Sequence, residues 1–159
     1  MLDSLRKLLT GLTGESGETR RFEDNDYRLA ATAMLVHLMA IDGDIAEAER
    51  TKLQSLVETR FSLSPQDAAE LVREATIVEG DAVDLYRFTS LIMRSVDEQG
   101  RLRIIEMMWE LVFADGTVNE FEDNVIWRAA DLLGISTRQR VEMRRRVGAG
   151  FPKTSTPNP

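Results

Sequence analysis

The 159-residue chain predicts an all-α fold, a compact bundle of about seven helices in two pseudo-symmetric halves, preceded by a short N-terminal helix. Three observations lead there. Between positions 22 and 148 apolar residues recur at helical spacing, and no segment shows the apolar–polar alternation of a strand. Of four prolines, three lie after position 150, so the interior is almost free of residues that stop helices. And one acidic loop occurs twice. Asp42-Gly43-Asp44-Ile45-Ala46-Glu47-Ala48-Glu49 is matched by Asp115-Gly116-Thr117-Val118-Asn119-Glu120-Phe121-Glu122, 73 residues on without a gap.

Each element follows from a local pattern. Residues 1–13 set Leu2, Leu5, Leu8, Leu9 and Leu12 on one side of a small amphipathic helix, and a Gly/Ser/Thr-rich linker follows to about position 21. Asp24 to Ile41 is apolar enough for a core helix and stops at Gly43, a usual helix terminator. Ala46 to Phe61 turns Leu53, Leu56 and Val57 inward. Ser64 caps a helix with Pro65 at its first position, running to about Val78. Gly80-Asp81 opens the next, with Val83, Leu85, Phe88, Leu91, Ile92 and Val96 buried. A helix from Glu98 or Gly100 carries Leu102, Ile105, Met108, Trp109, Leu111 and Val112 and ends at Gly116. Glu120 to Leu133 is closed by Gly134, and Ser136 caps a last helix through Val147. The domain therefore spans 22–148, with 1–21 an amphipathic segment plus linker and 149–159 a disordered Gly/Pro tail.

Composition narrows the function. A net charge of −7 argues against binding nucleic acid, whose phosphates need a basic surface, and leaves cations and basic protein surfaces as partners. With no cysteine and a single histidine, disulfides, thiol chemistry and the usual zinc sites are excluded. No apolar run is long enough to span a membrane, and the start lacks the apolar core of a secretion signal, so a cytoplasmic protein is expected. No nucleophile elbow or phosphate loop appears, and the chain is expected not to be an enzyme.

The doubled loop carries the chemistry. Asp-Gly-x-Ile/Val-x-x-x-Glu equals the second half of a calcium-binding EF-hand loop: glycine for the sharp turn, an aliphatic anchor, and a late glutamate reaching back to the ion. The first half fails, because Leu38 and Ala40, or Leu111 and Phe113, stand where oxygen ligands belong. What survives is a half-site of Asp42, Glu49, Asp115 and Glu122, with Asp44, Glu47 and Glu120 as helpers, suited to a divalent cation such as Ca²⁺, Mg²⁺ or Mn²⁺. Helix capping explains part of it: Asp44 and Thr117 read as N-caps, with Glu47 and Glu120 completing capping boxes. Glu49 and Glu122 then lie beyond the box. Asp42 and Asp115 sit at helix C-termini, where a carboxylate costs roughly 0.3–1 kcal/mol unless an amide, an arginine or a cation offsets it. A hydrogen-bonded turn and a cation site both remain open for these four.

Ala114 to Glu122 with Ile126, Leu132, Leu133, Gly134 and Ile135, and the earlier Asp42 to Glu49 with Leu53, resemble the TerB family of tellurite-resistance proteins and the related N-terminal domain of the co-chaperone DjlA. The resemblance spans about 25–147. It implies a pseudo-symmetric helical bundle, no enzymatic activity, an acidic surface binding metal ions and a link to stress responses. Its acidic positions fall on Asp42, Glu49, Asp115 and Glu122.

Other features have plain readings. His37 is a structural residue, with Glu110 at its matching position, and Trp109 and Trp127 are expected to anchor the second half's core. Arg138, Arg140, Arg144, Arg145 and Arg146 make a basic end that meets phosphate or balances acidic helices. Candidate partner surfaces are the acidic face and the leucine segment, for which docking on its own domain is favoured over peripheral membrane contact.

Overall fold

A computed structural model describes residues 22–23, 25–43, 45–81, 85–114 and 118–151. Within them are seven α-helices: α1 (Tyr27–Met39), followed by a 3-10 turn (Ala40–Asp42), α2 (Glu47–Arg60), α3 (Pro65–Asp81), α4 (Tyr86–Ser95), α5 (Glu98–Ala114), α6 (Glu120–Leu132) and α7 (Thr137–Ala149). No strand occurs among the described residues. The expected N-terminal helix, its linker and residues 152–159 lie outside them.

The fold is organised around α1. Ten of its thirteen residues are buried, the exceptions being Tyr27, Arg28 and His37. A helix that is apolar on every side cannot lie on a surface. Accordingly α2, α3, α4, α5 and α6 all pack against it. Ala30, Ala31 and Ala33 on α1 and Ala68 and Ala75 on α3 are buried, and such short side chains let two helix axes approach closely. The one buried polar side chain of α1, Thr32, is satisfied by donating to the Arg28 carbonyl at 2.7 Å.

The two halves repeat one another. Contacts among α1, α2 and α3 are matched by contacts among α5, α6 and α7. Across the halves, α1 against α6 is matched by α2 against α5, and α1 and α5 touch each other. α4 joins the halves and packs on α1 and α6. α5 is the second hub, burying Ile104, Ile105, Met107, Met108, Trp109, Leu111 and Val112. It meets α7 closely at Gly148, where an added Cβ would come within 2.9 Å of the Phe113 ring, so a side chain there would push that ring out of place.

Local signals account for most boundaries. Asp26 caps α1 by accepting from the Arg28 amide at 2.9 Å, and its other oxygen holds the Arg28 guanidinium at 2.7 Å. Ser64 accepts from the Asp67 amide ahead of Pro65, as expected. Two expectations fail. Gly80 and Asp81 do not open a helix but close α3, and α4 starts only at Tyr86. Trp127 is no core anchor: it is 47% exposed on α6 under the Arg140 guanidinium, while Trp109 is fully buried. α7 runs through Ala149, and Phe151 beyond it stacks on Phe113 at 6.4 Å.

Two predictions follow from α1. Leu35→Ala, at a site with no solvent exposure, should lower the unfolding free energy by about 2–5 kcal/mol in urea titrations. Burial pushes the Asp26 carboxyl upward, but the hydrogen bonds and charge of Arg28 outweigh it and hold its pKa below the usual value. A lowered folded-state pKa gives stability that is present above the unfolded value and lost as pH falls through the folded one. Asp26→Asn keeps a good cap but loses the charge, so it should be less stable than wild type at pH 7 by about 0.5–1 kcal/mol. That gap should close as the pH is lowered through the folded pKa of Asp26.

Candidate functional site

Both copies of the acidic loop begin where a hub helix ends. After α1 the 3-10 turn closes at Gly43, whose amide donates to the Ala40 carbonyl at 3.0 Å and whose φ of +121° is open only to glycine without strain. Ile45 and Val118 are half-buried and pack against the core, which pins each loop. The residue after each anchor, Ala46 or Asn119, is extended, with ψ of 155° and 167°. Only then do α2 and α6 start.

This moves the caps two residues from where the sequence pattern put them. The N-cap positions are Ala46 and Asn119, not Asp44 and Thr117. The third helical positions are Glu49 and Glu122, not Glu47 and Glu120. Glu49 Oε1 accepts from the Ala46 amide at 2.9 Å, and Glu122 Oε1 from the Asn119 amide at 3.0 Å. Asn119 Oδ1 in turn accepts from the Glu122 amide at 2.8 Å, which completes a reciprocal capping box in the second copy. Ala46 has no side-chain acceptor, so the first copy makes only half of it. The apolar anchors pack on the core directly ahead of the caps, and the first helical turn begins after the extended cap residue. The signal was present in Asn119-x-x-Glu122, itself a capping pattern.

The four carboxylates singled out by the sequence thus divide. Glu49 and Glu122 are partly buried and bound to backbone amides, against the expectation that capping did not need them. The carboxylate of Asp42 and the whole of Asp115, Gly116 and Thr117 lie outside the described residues, as does Asp44. Glu47 and Glu120 are exposed at the first helical positions, where the helix dipole favours negative charge. Among the described residues no three His, Cys, Asp or Glu side chains come together to hold a metal ion.

A lysine that sequence reasoning overlooked links the halves at this end. Lys52 Nζ, on the second turn of α2, donates to the Ala114 carbonyl at 3.3 Å, the last residue of α5 before the second loop. It brings positive charge to the helix terminus where an offset for Asp115 was sought. Its counterpart 73 residues on is Val125, so the first loop has no equivalent.

Several other charged residues pair on the packed helices. Arg60 of α2 pairs with Glu110 and, at 3.4 Å, with Glu106, both on α5, and the Glu110 hydrogen bond raises the Arg60 pKa. The basic end of α7 reaches its neighbours: Arg144 to Asp123 at 3.6 Å, Arg146 to Glu106 at 3.3 Å, and Arg145 to Glu142 on the same helix at 2.6 Å. His37 Nδ1 lies 3.1 Å from Glu79 Oε2, a link between α1 and α3.

These features define a two-half helical module whose acidic loops are helix junctions. A family profile described as tellurite resistance protein TerB matches residues 28–145, most of the chain and both loops. The chain belongs to the TerB family. No curated protein and no solved structure matches it.

The capping geometry is testable. Glu122→Gln preserves an acceptor and should leave the unfolding free energy nearly unchanged, whereas Glu122→Ala and Asn119→Ala should each cost about 1 kcal/mol, seen as a drop in Tm of roughly 2–4 °C.

Proposed function

We propose that this TerB-family chain is a non-catalytic helical module in the cytoplasm that acts by presenting the acidic loop end to a basic protein surface. The observation that carries this reading is the use of Glu49 and Glu122 as backbone caps. It makes the late glutamates parts of the helix junctions and leaves Glu47 and Glu120 outward, Glu120 next to the 60%-exposed Phe121. An acidic group next to an exposed aromatic suits a partner with a basic side chain beside an apolar spot. The net charge of −7 favours such a partner at long range. A role in the response to tellurite or another stress rests on the family's name.

A second reading is weak binding of Ca²⁺, Mg²⁺ or Mn²⁺ by Asp42 with Glu49 and by Asp115 with Glu122, helped by Asp44, Glu47 and Glu120. One observation favours it: Glu49 and Glu122 occupy the same position of the same cap in both copies, so whatever the loops hold, they hold it twice. The glutamates described supply too few ligands alone, and the aspartates would have to complete the set.

Two experiments separate these readings. Calorimetric titration with each cation should give heat with wild type and none with Asp115→Asn/Glu122→Gln if the cation reading holds; a wild type that gives no heat ends it. For the partner reading, Glu47→Lys/Glu120→Lys should still fold, with a Tm lowered by only a few °C because both positions are exposed and lose just the helix-dipole contribution, yet lose a partner captured by wild type without added metal. Capture that survives the charge reversal would rule out this face.

A further inference from the structure

We propose that the groove between α2 and α5 is the docking site of this chain's own leucine segment, residues 1–13. The argument begins with the internal symmetry. Exchanging the halves takes α1 to α5 and α6 to α2. The α1–α6 face is covered by α4, which packs on both helices and buries Phe88, Thr89 and Ile92. The Met93 methyl of α4 lies 3.9 Å from the position of a Cβ on Gly134, which places α4 at the C-terminal end of α6.

On the equivalent α2–α5 face the described residues instead leave a groove of about 470 Å³, whose lining combines Ser55, Leu56 and Thr59 of α2, Leu111 and Ala114 of α5 and Phe151 with the charged Lys52, Arg60 and Glu110. Its mostly apolar floor is less covered than its symmetry counterpart. Ala129, the partner position of Leu56, is fully buried, whereas Leu56 is only half-buried; Leu132 is half-buried where Thr59 is exposed.

The connectivity names the occupant. α4 immediately precedes α5, so a segment in the equivalent place lies before α1; the 73-residue offset itself falls on 13–22, which carries no apolar stripe, and the first such stripe lies directly ahead of it. The stretch before α1 with an apolar stripe is Leu2, Leu5, Leu8, Leu9 and Leu12; the intervening residues 13–21 are polar or glycine. Residues 152–159 contain no large apolar side chain. Reach is sufficient. The start of α1 adjoins the end of α2, where the Tyr27 ring meets Phe61 edge-on at 6.0 Å, and the groove begins one residue away at Arg60. The nine residues 13–21 extend to about 30 Å. A helix from Leu2 to Leu12 would be about 15 Å long, against about 12 Å of α2 between Lys52 and Arg60.

The chain has no cysteine, so Thr10→Cys carries a single nitroxide label on the full-length protein. The expected result is several-fold broadening of the amide resonances of Ser55, Thr59 and Ala114, with Met93 and Arg128 on the α4 side unaffected. Adding Leu5→Glu/Leu8→Glu in the segment, or Ser55→Glu/Thr59→Glu at the exposed groove positions, should restore the broadened signals while the remaining spectrum reports an intact fold. Broadening centred on another face, broadening spread evenly, or signals left sharp would overturn the proposal. So would broadening seen when labelled chains are mixed with isotope-enriched unlabelled ones, because the occupant would then be a second copy.

Discussion

Everything in this molecule depends on burying α1. With ten of thirteen residues inaccessible, it has no face to offer water, and five other helices close around it. That requirement accounts for the number of helices and for the small residues along its length. Full burial of each leucine or methionine on it stabilises the fold by about 1.5–3 kcal/mol. It also puts the acidic loops at the periphery, because a chain leaving a central helix emerges at the end of the bundle.

α5 plays the corresponding part in the second half, and the differences between the hubs are informative. α5 is longer and buries seven of its seventeen residues, keeping Glu106 and Glu110 on a wet side where Arg60 and Arg146 meet them. The matching residue of Glu110 on α1, His37, turns to Glu79 of α3 instead. The same backbone plan thus uses different charge pairs in each half. Such partly exposed pairs contribute at most about 1 kcal/mol each, so they orient helices whose packing is supplied by the apolar core.

The loops are held in the same economical way. An aliphatic side chain fixes the turn, an extended residue follows, and a glutamate ties the new helix back to its own start. Because both glutamates serve the backbone, their repetition has a structural cause. The functional content of the loop end lies more in what differs between copies: Lys52 reaching the end of α5, Asn119 completing a cap that Ala46 cannot, and Phe121 standing exposed where the first copy has Ala48.

Sequence alone determined the fold class, the seven helices and the doubling, because helical periodicity, glycine stops and caps such as Ser64-Pro65 are local and act wherever the chain goes. It also carried the resemblance to TerB that the family profile bears out. Tertiary structure decided what depends on neighbours. Trp127 looked like a core residue by its type, yet the face of α6 that carries it meets solvent and Arg140, while Trp109 fills the interior. Asp44 and Glu47 formed as good a capping pattern as any in the chain, but Ile45 and Val118 pack against the core and the caps fall two residues later, on Ala46 and Asn119. A cap is chosen by a local hydrogen bond worth about 1 kcal/mol, and half-burying an aliphatic anchor is worth about as much, so packing just ahead of the helix can decide between two caps of similar quality.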